Sequence, residues 1–281
     1  MLGASHEVLG TYCSTPPAAE DPAMTRLDLR DGSAIERTVA TFRPDAVAHL
    51  AALSRVEDAA RGEETARAVN IAGTAHLVRA ANAVGARLLL LSTDSVFDGA
   101  AGPYAEEARP APVNVYGRTK EAAERIIREA GPGHLIVRTS LVYGWPGPGH
   151  HQNFVTEVIA RLGRGERITA YTDMLRSPAY VRNVAELLAR VIEREVGGVC
   201  HLSGRESTSM HDFAHAIAEV FSLDPRLIVA GLALGQDGAE ARPRALGLLS
   251  QRAQQELGIT VPGCREGLLR MREDGPGGLS P

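Results

Sequence analysis

Short apolar runs alternate with longer stretches of helical period along the first half of the chain. Glu7–Tyr12 (EVLGTY), Thr25–Leu29 (TRLDL) and Ala46–Leu50 (AVAHL) read as strands. Asp31–Phe42 reads as a helix with Asp31 or Ser33 as cap, ending before Arg43-Pro44 because proline pushes the preceding residue out of the helical region. A longer helical pattern runs from about Glu57 to Val84, and another covers Val115–Glu129. Arg87–Ser92 (RLLLLS) and His134–Arg138 (HLIVR) are apolar without alternation, the mark of strands buried on both faces. Strand and helix in turn predict an α/β chain, a Rossmann-like doubly wound parallel sheet with right-handed crossovers. Beyond about Gly144 the rhythm changes. Helices near Asn153–Leu162, Val184–Glu195 and Met210–Phe221 are separated by short strands such as Val199–Leu202. The expected layout is a sheet domain over residues 1–148, a smaller C-terminal lobe over 149–272 interleaved with it, and a frayed tail over 273–281. Ligands of such sheets bind at the carboxyl ends of the strands.

Composition narrows the chemistry. The 281 residues are 44% hydrophobic, enough for a full core, and carry a net charge of −4 with acids and bases interspersed. No basic stripe favours a nucleic-acid partner, and no apolar run approaches the ~20 residues of a membrane span. The opening MLGASHEVLG lacks a basic segment followed by an apolar one, so no secretory signal is read. Cys13, Cys200 and Cys264 are odd in number and far apart, without a disulfide or zinc spacing; a cytoplasmic, reducing setting fits. His150-His151 lies in a Gly/Pro loop with too few ligands nearby for a metal site.

Of the 30 basic residues, 29 are arginine and one is lysine, Lys120, in Tyr116-Gly-Arg-Thr-Lys120. Residues four apart on a helix share a face. A neighbouring ammonium would lower the phenol's ordinary pKa of ~10 and bring Tyr116 into range for acid–base work. A compact ammonium could also bond hydroxyl groups that a planar arginine fork would fit poorly. An ordinary helix with a surface lysine would carry the same pair. Upstream, the apolar strand ends in Ser92-Thr93-Asp94, placing a hydroxyl where a substrate carbonyl could bind. Hydroxyl, phenol and ammonium together describe a carbonyl reductase site.

These segments, with FRPDAVAHLAA (Phe42–Ala52), STDSVFDG (Ser92–Gly99), VRTSLVYG (Val137–Gly144), NFV (Asn153–Val155), DMLRSPAYVRNVAELL (Asp173–Leu188), HLSG (His201–Gly204) and ARPRALGL (Ala241–Leu248), run in a family's order. The chain resembles an extended short-chain dehydrogenase/reductase, specifically the dTDP-4-dehydrorhamnose reductase family, which also contains the regulatory beta subunit of methionine adenosyltransferase. The resemblance implies that Tyr116 protonates a sugar ketone, that Lys120 holds the nicotinamide ribose and lowers the tyrosine's pKa, and that Thr93 bonds the carbonyl oxygen. It places Asp28 and Leu29 beside the adenine, and Ala51, Ala52 and Leu53 along the cofactor's path. Val56, Asp94 and Asn153 would face the sugar nucleotide. The implied function is an NADP(H)-dependent reductase of a nucleotide-linked 4-keto-6-deoxysugar, with a second copy of the chain as a candidate partner. The alternative is a non-catalytic regulatory module of the same family. An epimerase or dehydratase is the weaker reading, because Asp94 is followed by Ser95 rather than an acid.

The chain also departs from the family. The expected strand, G-x-x-G-x-x-G turn and helix are not found; Gly3-Ala4-Ser5 has no preceding strand and no correctly spaced second glycine. Since HEVLGTY matches the family's second strand, about 25–30 residues are expected to be missing, by the size of a βαβ unit. Either the true start lies upstream, or the shorter chain is real and holds cofactor weakly or not at all. No acid ends the Thr11-Tyr12-Cys13-Ser14 strand, which favours NADP over NAD, though NAD remains open. Ser95 and Leu141 stand where the family has aromatic residues, which weakens the case for one particular sugar. Arg176 and Arg242 are candidates for a pyrophosphate, with a structural salt bridge as the alternative for each.

Overall fold

The computed structural model describes residues 6–14, 24–147, 152–194, 196–233 and 242–276. Gly3-Ala4-Ser5, His150-His151, Glu195 and the end of the tail lie outside the described residues. In chain order the elements are β1 (Gly10–Tyr12), β2 (Met24–Arg26), α1 (Gly32–Phe42), β3 (Ala46–His49), α2 (Val56–Arg61), α3 (Glu63–Arg67), α4 (Gly73–Val84), β4 (Arg87–Thr93), α5 (Val115–Ala130) and β5 (Leu135–Thr139). There follow β6 (Val142–Tyr143), α6 (Phe154–Gly163), β7 (Ile168–Tyr171), β8 (Leu175–Arg176), β9 (Ala179–Tyr180), α7 (Val181–Glu193), β10 (Gly198–His201), β11 (Thr208–Ser209), α8 (Met210–Val220), β12 (Ile228–Gly231), α9 (Gln251–Gln255) and α10 (Cys264–Asp274).

The central sheet is parallel, in the order β10-β5-β4-β3. Alternate residues of its inner strands feed two cores. Leu88, Leu90 and Ile136 pack with α1, α4 and α5 through Ile35, Val39, Leu77, Ala123 and Ile127. Leu89, Leu135 and Val137 pack on the other face with α7 and α9 through Val184, Leu187, Val191 and Ala253. This double burial is why those strands read as unbroken apolar runs. The C-terminal lobe has its own core, in which Tyr143, Tyr180, Phe213 and Ile217 join α6, α8 and α10. β10, which follows α7 in the C-terminal half, extends the sheet by pairing with β5.

Among the described residues, β1 and β2 pair only with each other, and β3 has no partner on its outer edge. In a doubly wound order one further strand would lie between β1 and β3. The helical stretch predicted over 57–84 is broken at Gly62 and contains a π turn over Ala68–Ala72. The tail expected to fray from Glu273 begins inside α10: Asp274 accepts hydrogen bonds from the Tyr180 hydroxyl at 2.5 Å and Arg182 at 2.6 Å. No helix among the described residues is long and apolar enough to cross a membrane.

Candidate active site

Two close approaches build the site. β4 ends in Ser92 and Thr93, and the chain turns at once into a short 3-10 segment, Asp94–Val96. Helix α5 begins opposite, its first turn closed by Asn114, whose Oδ1 accepts from the Gly117 N–H at 2.7 Å. A Cβ on Gly117 would lie 2.1 Å from the Ser95 carbonyl oxygen. Glycine here lets α5 rest directly on the turn and brings the Tyr116 phenol beside Thr93.

Thr93 and Lys120 are buried, and Tyr116 is half-buried beside Thr93. Burial pushes the Tyr116 phenol up to about 12, with the Asp94 carboxylate adding to the rise and Thr93 opposing it. This corrects the expectation that Lys120 lowers it; the ammonium is not among the groups that shift the phenol. The phenol is therefore held protonated at neutral pH, the form an acid needs. Lys120 is itself pulled down to about 8 by burial, against which the Glu124 carboxylate one turn on restores part of the charge.

Glu124 anchors α5 from beneath. It is fully buried and accepts from Ser92 Oγ at 2.7 Å, Arg138 Nε at 2.9 Å, Arg138 Nη2 at 2.8 Å and Arg128 Nη2 at 2.6 Å. Its pKa lies below the usual carboxylate range because the bonds and charge of Arg138, with Ser92 and Arg128, outweigh its burial. Arg138 also reaches the Glu106 carbonyl and His201 on the adjacent edge strand β10.

A residue that sequence reasoning missed is Asn70. It is buried in the π turn, accepts from the Leu53 N–H at 2.8 Å, and donates to the Leu53 carbonyl at 3.2 Å and to Thr119 Oγ1 at 2.9 Å. Thr119 in turn donates to the Tyr116 carbonyl at 2.8 Å. Asn70 thus ties the Ala51-Ala52-Leu53 loop to the helix bearing Tyr116 and Lys120. An asparagine within the short apolar run Ala68-Val69-Asn70-Ile71-Ala72 was the available signal, and the π turn there is a kind of distortion that gathers at functional sites.

The other sequence candidates are spread along the same strand ends. Asp28 and Leu29 follow β2; Leu29 packs against Gly73, and the Asp28 carboxylate is held at about 2 by its hydrogen bonds from Arg30. Asp28 borders an open cavity of about 650 Å³ with Arg30, Ser33, His76 and Arg79. Val56 opens α2, beside the loop fixed by Asn70. Asp94 is buried next to Thr93. Three candidates are occupied by the fold. Asn153 caps α6, accepting from Val155 and Thr156 N–H and donating to the Gly144 carbonyl at 2.6 Å. Arg176 donates to the carbonyls of Leu175, Arg244 and Pro243. Arg242 forms an ion pair with Glu57 of α2. The salt-bridge alternative describes Arg242 here, and the Arg176 guanidinium is engaged by backbone carbonyls.

The donor set fits the ribose end of a dinucleotide: Lys120 is a buried ammonium that forms no ion pair among the described residues, and its N–H groups suit ribose hydroxyls. No glycine turn at a helix N-terminus is present among the described residues to hold a pyrophosphate. The described residues also contain no group of three or more metal-ligating side chains.

Residues 7–275 match the family described as RmlD substrate binding domain. The chain is 36% identical over 232 residues to a dTDP-4-dehydrorhamnose reductase of Mycobacterium tuberculosis, covering 78% of this chain and 74% of that one. It is 31% identical over 209 residues to the beta subunit of methionine adenosyltransferase 2 of Pongo abelii, covering 72% and 62%. The crystal structure of a dTDP-4-dehydrorhamnose reductase from Bacillus anthracis in complex with NADP superposes with a TM-score of 0.82 at 29% identity, covering 89% of this chain and 90% of that one. Fold, site order and these similarities agree: the chain belongs to the RmlD substrate binding domain family, the extended short-chain dehydrogenases that include the dTDP-4-dehydrorhamnose reductases.

Proposed function

We propose that the protein is an NADP(H)-dependent oxidoreductase that reduces the ketone of a nucleotide-linked 4-keto-6-deoxysugar. The observation that carries this reading is the buried meeting of Thr93 and Tyr116, with Lys120 one turn along α5. It is supported by the relatives named dTDP-4-dehydrorhamnose reductase and by the similar structure solved with NADP. When bound, the reduced nicotinamide supplies the hydride. Lys120 would hold its ribose, the Ala51–Leu53 loop its path, and Asp28 and Leu29 its adenine end. Thr93 donates a hydrogen bond to the ketone oxygen and Tyr116 delivers the proton as charge develops there. A phenol raised to about 12 is well matched to a developing alkoxide and stays protonated at working pH. Val56 and Asp94 line the sugar side.

The experiment is NADPH oxidation by the purified chain with a dTDP-4-keto-6-deoxysugar. Tyr116→Phe is expected to lower kcat by about 10²–10⁴-fold, the usual worth of a positioned acid. An unchanged rate in that variant overturns the assignment. A second reading, a regulatory subunit, is favoured by the 31% identity to the methionine adenosyltransferase beta subunit. Stoichiometric co-purification with a synthetase and no turnover would establish it instead.

A further inference from the structure

NADP and NAD differ only at the 2′ position of the adenosine ribose. In a doubly wound sheet an acid near the end of the second strand takes a 2′-OH, whereas a nearby arginine takes a 2′-phosphate. The corresponding place in this chain is the end of β1. Its own residues, Thr11-Tyr12-Cys13-Ser14, supply neither an acid nor an arginine.

The fold brings an arginine there from the neighbouring strand. Parallel pairing sets Arg26 of β2 in register with Tyr12 of β1, and the ladder runs one residue further, with the Leu27 N–H donating to the Tyr12 carbonyl at 2.8 Å. The Arg26 side chain crosses to the end of β1, where its Nε donates to the Cys13 carbonyl at 3.2 Å. That bond fixes the inner nitrogen of the guanidinium. Among the described residues both terminal nitrogens stay uncommitted, Arg26 enters no ion pair, and the residue is exposed.

The carboxylate on the same side of β2 is Asp28, because Leu27 between the two turns into the core beside Ile35 and Leu77. Asp28 is already taken up: Arg30 donates to it through Nε and Nη2. Arg26 is therefore the cation left over at this strand end. The adenine seat at Asp28 and Leu29 begins two residues beyond it, so base and ribose of one adenosine can meet both. A planar guanidinium pinned at Nε and open at both Nη groups suits paired hydrogen bonds to a phosphate.

Resting on the reductase reading, we propose that Arg26 determines cofactor specificity by binding the 2′-phosphate of NADP(H) at the end of β1. The cation that β1 lacks is supplied across the β1–β2 pairing. Since these strands pair only with each other among the described residues, their mutual register alone sets its position. Arg30 stays with Asp28 and contributes charge, not bonds to the phosphate.

The test reads binding rather than turnover. Adenosine 2′,5′-bisphosphate and 5′-AMP differ only in the 2′-phosphate, and each is titrated into the full chain by calorimetry. Wild type is expected to bind the bisphosphate about 10-fold more tightly or better, the worth of one charged hydrogen-bonded contact. Arg26→Gln should erase that preference by weakening the bisphosphate and leaving 5′-AMP as it was. Arg26→Lys should keep part of it, since it restores the charge without the fork. A wild type that binds both probes equally overturns the proposal, as does a preference that survives in Arg26→Gln. A preference erased by Arg30→Gln and kept in Arg26→Gln overturns it in favour of Arg30. The reductase reading fails separately. Equal kcat/KM for NADPH and NADH leaves a reductase but overturns the role of Arg26. No turnover of a dTDP-4-keto-6-deoxysugar, with the 2′-phosphate preference intact, defeats the reductase reading and leaves the role of Arg26 standing.

Discussion

Ser92 and Thr93 are neighbours at the end of β4, and each serves a buried carboxyl of opposite character. Ser92 donates to Glu124, which also receives two bonds from Arg138 and one from Arg128. Thr93 donates to Asp94, which receives only hydroxyls. Burial raises the proton affinity of both groups. At Glu124 the guanidinium bonds win and the carboxylate stays ionised; at Asp94 they are missing and burial wins. Strand alternation sends the two hydroxyls to opposite faces, so a structural anchor and a titratable site lie one residue apart. Burial alone therefore does not decide the state of an acid; the charge of its donors does.

The largest expected effect breaks the anchor. Arg138→Met leaves Glu124 buried with one arginine fewer and should cost about 3–5 kcal/mol of unfolding free energy, read by urea denaturation. The double variant Arg138→Met/Glu124→Leu should recover most of that loss, because removing both charges removes the unpaired one. Recovery of less than half would mean that the network is worth more than its desolvation cost. Asp94→Asn, by contrast, leaves no guanidinium hydrogen bond unpaired and should cost less, about 1 kcal/mol.

The next effect has the opposite sign. Lys120 gives up its proton at about 8 when folded against an ordinary 10.5. Between those values the unfolded chain binds more protons, so wild-type stability rises with pH there, and the folded state carries a penalty below 8. Lys120→Met should remove the rise and stabilise the protein at pH 7 by about 1–3 kcal/mol, while abolishing reduction. A variant less stable than wild type at pH 7 would show that Lys120 is tied into the fold rather than held for a ligand.

Much of this was legible in the sequence, and for identifiable reasons. RLLLLS and HLIVR announced strands buried on both faces, and YGRTK announced a Tyr–Lys pair on one helix face. What stayed hidden were properties of three-dimensional neighbourhoods. No local pattern says that burial pushes Tyr116 up while Lys120 leaves it unshifted. Arg176 and Arg242 looked alike as cations, yet one cross-links carbonyls and the other reaches Glu57, 185 positions away in the chain. Asn153 resembled a ligand residue, and its position before FVTEV was equally the signature of a helix cap, which is how its amide is spent. The break at Gly62 and the π turn that positions Asn70 fall within one continuous apolar period, which tertiary packing interrupts without changing the pattern.

The smallest effect sharpens the comparison most directly, because it deletes the same atom on each side. Ser92→Ala removes a 2.7 Å bond to Glu124, and Ser140→Ala a 2.6 Å bond to Asp94. Both hydroxyls are buried and both acceptors are carboxyl oxygens, so distance and exposure nearly cancel. What differs is the proton affinity of the acceptor, moved down at Glu124 by its guanidinium donors and up at Asp94 by burial. A hydrogen bond to an ionised group contributes about 1.5–3 kcal/mol, one between neutral groups about 0.5–1.5 kcal/mol. Ser92→Ala should therefore cost about twice as much as Ser140→Ala in unfolding free energy at pH 7. As pH rises through the Asp94 transition, the cost of Ser140→Ala should climb toward that of Ser92→Ala, whose own cost stays level. Equal costs at both pH values would mean that Asp94 is ionised throughout, and the two sides of β4 would then differ in partners but not in charge.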